Sequence, residues 1–363
     1  MYSASQFNKV FSGKEFDLPI KWDGVDFYKT LDNLYTQYIN KIKIVIKHED
    51  ILNIENLIKS LLKAVKEYLN GSPADAFINL DEGMKILEKD SLKVYDKSID
   101  KLFWSQTNDP LKLFRVRAVK SNKKFLRREL FHIPYNQRSI VSTNRYGISG
   151  YPCLYLGTSL EQCCNEIYAK PEEVSIVVSA YILEQNIKRT RLNIKVIELG
   201  IKPQDFRHKK ARTETIGHDQ ISKRIIPYEL LQLDTTKTSY LLWYPLIAAC
   251  SFIQANKKDP FVAEFIIPQL LMQWVRSKMA QEKELYGIQH FSCASVKASD
   301  MGYTYVFPTS GEKDSDQFPY CPILTKAFLS TEPVYIREYK NIIECEKKLR
   351  SLDIDTFYDS PRK

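Results

Sequence analysis

No uninterrupted apolar run in this 363-residue chain reaches the roughly 18 to 20 residues that a helix needs to cross a bilayer. The first residues, with Lys9, Lys14, Glu15 and Asp17, lack the apolar region of a secretory leader. Seven cysteines include no CxxC pair, and an odd number of them fits reduced thiols better than a disulfide framework or a zinc site. Vicinal Cys163 and Cys164 read as small helix hydrophobes. His132, His208, His218 and His290 show no metal-ligand spacing. There is no internal repeat and no low-complexity segment. These absences set the expectation of a cytoplasmic protein that does not enter a membrane and binds no metal.

What is present is globular in character: 44% of residues are hydrophobic and 27% charged, enough for one large domain or two ordinary ones. The net charge of +9 is uneven. Residues 1–100 carry 14 Lys/Arg against 16 Asp/Glu, so the whole excess lies downstream. Between Arg115 and Arg145 there are nine basic side chains and one acid, Glu129; from Lys188 to Arg224 there are eleven basic and four acidic. Such fields attract phosphates. A nucleotide ligand, a nucleic acid and a solvated basic surface all satisfy this charge pattern, and arginines embedded in motifs favour the nucleotide.

The first hundred residues read as helices. Phe27, Leu31, Leu34, Tyr35, Tyr38, Ile39 and Ile42 recur at helical spacing, as do Ile54, Leu57, Ile58, Leu61, Leu62, Val65 and Leu69. Asn70-Gly71 supplies a stop, and Ser72-Pro73 with Asp75 an N-cap, a first-turn proline and a first-turn acid. From Leu113 strands alternate with helices: strands over Leu113–Val119, Val174–Tyr181, Leu192–Leu199, Ile288–Phe291 and Tyr303–Phe307, and helices over Tyr240–Ala255 and Phe261–Lys278. The domain boundary falls near residue 105, around Asn108-Asp109-Pro110. The expectation is therefore a helical domain over 1–105 and an α+β domain with a mixed sheet over 106–363, ending in a C-terminal helix.

The densest segment runs from Arg145 to Glu166, RYGISGYPCLYLGTSLEQCCNE. Tyr146-Gly147 and Gly150-Tyr151-Pro152 punctuate it as a tight turn. Cys153–Leu156 reads as a short buried strand that Gly157 ends. Thr158 or Ser159 caps a helix whose apolar side carries Leu160, Cys163, Cys164 and Ile167. Glu166 lies on this helix, and a carboxylate among apolar residues costs free energy unless it is paired or used. On spacing alone, a solvated glutamate paired with a lysine fits equally.

The order of motifs across the second region resembles the RES domain family, named for an arginine, a glutamate and a serine. The matching elements are Phe114-Arg115, Arg145-Tyr146-Gly147, Leu154-Tyr155-Leu156, Glu166, Glu264–Leu271, Gly287-Ile288-Gln289-His290-Phe291-Ser292 and Tyr305–Pro308, spread over about residues 110–340. The resemblance implies an ADP-ribosyltransferase-like fold and a bacterial toxin or phage-defence effector. Such an effector consumes NAD as substrate, as a glycohydrolase or phosphorylase, with ADP-ribosyl transfer to a macromolecule as the alternative. It assigns Glu166, Arg145 and Ser292 to catalysis, and Arg115, Arg145, Tyr146, Tyr155 and Ser292 to binding the dinucleotide. Implied partners are NAD, phosphate, an antitoxin or regulatory protein and a second copy of the chain. Small toxins of the family often carry tryptophan after the second arginine, where this chain has Tyr146, and they lack the helical N-terminal extension.

Two other classes compete. Arg127 and Arg128, four or five residues before His132, superficially match the spacing of helical RNases of the HEPN type, but Ile133-Pro134 disfavours the required helix. His132 is expected instead to shape the site near Arg138 and Arg145. A basic nucleic-acid-binding protein is supported by charge alone.

Overall fold

A computed structural model describes residues 2–89, 94–95, 112–120, 123–167, 174–183, 194–207, 234–282, 285–313 and 315–356. The expected boundary at Asn108–Pro110, His208, His218 and much of the Lys188–Arg224 basic stretch lie outside these residues. The chain is α+β with helices at its N-terminal end, and its sheet is mixed, with one parallel pair and the rest antiparallel. It divides into two compact units: Met1–Tyr95 with Ile197–Trp274, and Asp96–Val196 with Val275–Lys363. The helical unit is thus built from two stretches of chain, whereas sequence patterning groups 197–274 with the second domain.

The helical unit contains α1 (Ala4–Phe11), α2 (Phe27–Ile42), α3 (His48–Leu69) and α4 (Pro73–Leu87), followed by the short β1 (Val94–Tyr95). After Gly71 turns the chain with φ of 87°, the Ser72 N–H donates to the Glu67 carbonyl at 2.9 Å and closes α3. Ser72 occupies the cap position of α4, yet its side chain makes no capping bond there. Further on, β5 (Ile194–Leu199), α6 (Pro203–Arg207) and α7 (Asp234–Ala249) follow.

Why α7 belongs with the N-terminal helices is visible at Pro245. A proline inside a helix removes the N–H that would bond the carbonyl four residues earlier, here Leu241. The Tyr38 hydroxyl from α2 donates to that carbonyl at 2.7 Å, and the Tyr35 hydroxyl donates to the Pro245 carbonyl at 2.8 Å. Around these bonds Phe7, Phe11, Phe16, Tyr38, Tyr240 and Tyr244 form an aromatic core, with Tyr38 and Tyr244 rings 4.6 Å apart. The helix expected over Tyr240–Ala255 therefore starts earlier and stops at Ala249, because Phe252 instead pairs as an isolated bridge with Ile20.

The second unit holds β2 (Leu113–Val119), β3 (Cys153–Gly157), α5 (Leu160–Glu166) and β4 (Ser175–Leu183). The long α8 (Ile266–Glu282) leads to β6 (Leu285–Phe291) and β7 (Tyr303–Pro308). The chain continues through α9 (Pro322–Ala327), β8 (Phe328–Thr331), β9 (Val334–Tyr335), α10 (Ile342–Ser351) and β10 (Ile354–Asp355). The strands lie in the order β6-β7-β3-β2-β4-β8-β10, with β9 also on β4. The registers place Arg115 opposite Ser179, Tyr155 opposite Val306 and His290 opposite Thr304. Phe114, Ile176, Val178 and Ala180 pack with Leu160, Cys163 and Cys164 of α5 and with Cys345 and Leu349 of α10. Alternation then turns Arg115 and Arg117 to the opposite face of β2 from Phe114 and Val116. Ile167, expected on the apolar side of α5, is 39% exposed because the helix ends one residue before it.

Candidate active site

The site is assembled on β2 and β3, on the last residue of α5, at the end of β6 and just past it, and on the turn that precedes β3. In that turn the Asn144 N–H donates to the Gly147 carbonyl at 2.9 Å and the Gly147 N–H returns to the Asn144 carbonyl at 3.1 Å. Arg145 and Tyr146 are the two residues pinned between these bonds, and Tyr146 is buried. Gly147 leaves room for the strand tyrosine: a β-carbon on it would lie 2.9 Å from the Tyr155 hydroxyl, so one of the two would have to shift.

The segment from Gly157 to Glu166 explains how the carboxylate is carried. Ser159 caps α5 by accepting from the Gln162 N–H at 3.2 Å, and a carboxylate oxygen of Glu346 accepts from the Leu160 N–H at 2.9 Å. The Gln162 side-chain amide donates to the Thr304 hydroxyl on β7. The Cys163 thiol donates to the Phe114 carbonyl at 3.3 Å, an approach that a side chain at Gly157 would block, since a β-carbon there would sit 2.3 Å from the sulfur. With the first turn fixed at four points, Glu166 is set at the last position of the helix.

Glu166 is hydrogen-bonded by Ser292 and lies in the field of Arg145. Ser292 is fully buried, and its oxygen accepts from the Ala294 N–H at 3.2 Å, which leaves the hydroxyl hydrogen for the carboxylate. Burial raises the Glu166 carboxyl above its ordinary range, while the Ser292 bond and the Arg145 charge oppose that rise. Arg115 does not meet Glu166 directly. Its Nη1 donates to the Tyr155 carbonyl at 3.1 Å, and the Tyr155 phenol lies in the field of both Arg115 and Glu166. Burial pushes the phenol well above 10 and pulls the Arg115 guanidinium down.

The six residues singled out by the sequence, Arg115, Arg145, Tyr146, Tyr155, Glu166 and Ser292, are therefore linked in one neighbourhood of the second unit. His290 was missed. Its ring packs 4.7 Å from that of Tyr146 and it too lies in the field of Arg145. The available signal was alternation, because His290 and Ser292 are two apart in GIQHFS.

Three buried polar atoms among the expected residues have no hydrogen-bond partner: Arg115 Nε, Tyr155 Oη and Glu166 Oε1. Buried polar groups are ordinarily satisfied, and an unsatisfied one costs about 1–3 kcal/mol. A donor, a hydroxyl and a carboxylate oxygen are thus left open in linked positions, although buried polar atoms away from the site, such as Trp243 Nε1 and the Gln289 amide, are open as well.

The region around His132 has a different character. Arg127–Leu130 form one 3-10 turn that ends before Phe131, so no helix carries both arginines and His132. His132 Nε2 accepts from the Cys321 N–H at 2.9 Å, and the nearby charge is Arg115, whereas Arg138 lies over the Tyr135 ring. Among the described residues no cluster of three or more His, Cys, Asp or Glu side chains is arranged to hold a metal ion, and no helix is long and apolar enough to cross a membrane.

Fold and site together define an α+β protein with a half-buried glutamate whose carboxylate is bonded by a serine hydroxyl and lies in the field of an arginine. The chain is similar to a Bacillus subtilis (strain 168) protein named "Putative toxin YopC", with 28% identity over 331 residues, which covers 88% of this chain and 68% of that protein. No family model and no solved structure matches the chain.

Proposed function

We propose that this chain is a toxin of the RES type that consumes NAD by breaking the bond between nicotinamide and ribose. The observation that carries the reading is the buried Glu166 carboxylate, bonded by Ser292, beside Arg145, with Oε1 left open. The name of the similar Bacillus subtilis protein supports a toxin, and the ordered arginine, glutamate and serine motifs support the substrate.

In this reading the nicotinamide leaves as a neutral base, taking the electron pair of its bond to the ribose, and positive charge develops on the sugar. A carboxylate fixed beside the anomeric carbon stabilises that charge, and its partners Ser292 and Arg145 favour its ionised form against the effect of burial. Water or phosphate supplies the oxygen that forms the new bond to the anomeric carbon; a water nucleophile then loses its proton to solvent. Arg115 and Arg145 hold the pyrophosphate by charge-assisted bonds. Tyr155 offers its open hydroxyl to the ligand.

Incubating the purified protein with NAD, with and without phosphate, and following nicotinamide release tests the proposal. Release in both conditions identifies a glycohydrolase, and release that requires phosphate a phosphorylase. Labelled ADP-ribose on a macromolecule would move the reading to a transferase. NAD that stays intact, with no label transferred, would overturn it.

A further inference from the structure

Two buried histidines in the second unit share one tautomer and differ in one respect. His132 Nδ1 meets the Ile133 carbonyl at 2.8 Å, and His290 Nδ1 meets the Phe291 carbonyl at 2.8 Å. A carbonyl only accepts, so each Nδ1 carries the hydrogen and each Nε2 presents a lone pair. Burial holds both rings neutral, with pKa values lowered to about 3 for His132 and about 4 for His290. His132 uses its lone pair to accept from the Cys321 N–H at 2.9 Å. His290 Nε2 is buried and has no hydrogen-bond partner.

The open lone pair of His290 sits at the site. His290 lies one residue before the end of β6, Ser292 is the first residue past that strand, and Ser292 bonds Glu166. The Arg145 charge acts on both His290 and Glu166. The Tyr146 ring, 4.7 Å away and itself buried, fixes the imidazole plane from the side of the Arg145 turn. An acceptor this well oriented, next to a cation that repels its protonation, is set to receive a hydrogen from a neutral donor.

We propose that His290 is a substrate-binding residue whose Nε2 accepts a hydrogen bond from an N–H or O–H group of the ligand beside Glu166. This rests on the NAD reading, in which the donor is the nicotinamide carboxamide or a ribose hydroxyl. His290 joins the open Arg115 Nε, Tyr155 Oη and Glu166 Oε1 as a fourth contact, and it selects ligands that bring a donor to that point.

The test uses full-length protein and a matched pair of variants. Glutamine reaches far enough to place its carbonyl oxygen near the position of Nε2, whereas asparagine reproduces only the Nδ1 side of the ring. With NAD as substrate, His290→Asn is expected to raise KM at least tenfold and His290→Gln less than threefold, with thermal midpoints of both close to wild type. An unchanged KM in His290→Asn, or equal losses in both variants that track a fall in thermal midpoint, would overturn the proposal. If the penalty of His290→Asn vanishes with an analogue whose carboxamide is replaced by acetyl, the donor is the amide; if it persists, a ribose hydroxyl. Wild-type protein that neither binds nor consumes NAD overturns the reading beneath the proposal and the proposal with it. Wild-type turnover with an indifferent His290→Asn overturns the proposal alone.

Discussion

The Tyr155 hydroxyl occupies the space over Gly147, 2.9 Å from the point where a β-carbon would stand. The strand that carries Tyr155 and the turn that carries Arg145 are thus fitted to each other through the absence of one methyl group. Gly147→Ala should cost about 1–3 kcal/mol of stability, the usual range for overpacking. Adding Tyr155→Phe removes the offending oxygen and should recover most of that loss. Denaturant unfolding of the two single variants and the double variant checks this, and strict additivity would refute the fit.

Glu166→Gln should reduce nicotinamide release by roughly 10²–10³-fold, the scale of losing one preorganised electrostatic group. Its stability effect has a definite sign. The folded carboxyl titrates above its ordinary value, so the native state holds a proton that the unfolded chain gives up, and stability falls as pH rises through the carboxylate range. Glutamine escapes that loss. The variant's thermal midpoint should rise relative to wild type as pH rises through the ordinary carboxylate range and beyond it. A gap that stays constant with pH would refute the burial argument.

Acid should destabilise the second unit through its two neutral histidines. Their folded pKa values, about 3 and about 4, lie below the ordinary 6.5. The stability they contribute is therefore complete above 6.5 and is lost as pH falls toward those values. The full loss is on the order of 5 kcal/mol for His132 and about 3 kcal/mol for His290. His132→Gln should flatten the fall in stability between pH 6.5 and 4, measured by urea midpoints. An unchanged slope would show that His132 is not the titrating group.

In the helical unit the Tyr38 hydroxyl serves the carbonyl that Pro245 leaves open. Tyr38→Phe should cost about 1–3 kcal/mol, the price of an unsatisfied buried acceptor. In a Pro245→Ala background the helix regains its own N–H for Leu241, and the cost should shrink. A double-mutant cycle with no coupling would contradict this account.

Much of the candidate site was legible because its parts are local. Gly157, the Ser159 cap and the apolar spacing of Leu160, Cys163 and Cys164 fix α5, and so fix where Glu166 projects. The glycine turn before Tyr155 is likewise written in adjacent residues. His290 was barely legible: its place two residues before Ser292 is written in the chain, but a lone histidine in a strand has no other distinguishing spacing. Its importance depends on which nitrogen the Phe291 carbonyl occupies and on the Tyr146 ring from another segment.

By itself the sequence determined the element types, the helical character of the N-terminal region and the motif residues, because capping, turns and periodicity act over a few residues. Tertiary structure alone decided that Arg115, held to Tyr155, and Ser292, bonded to Glu166, belong to one neighbourhood. It also decided that residues 197–274 complete the helical unit. Both outcomes turn on groups far apart in the chain: the register of β3 on β7, the Glu346 carboxylate at the start of α5, and a tyrosine hydroxyl meeting a carbonyl opened by a proline some two hundred residues away. Local periodicity records that a side chain is apolar or polar. Only packing supplies its partner.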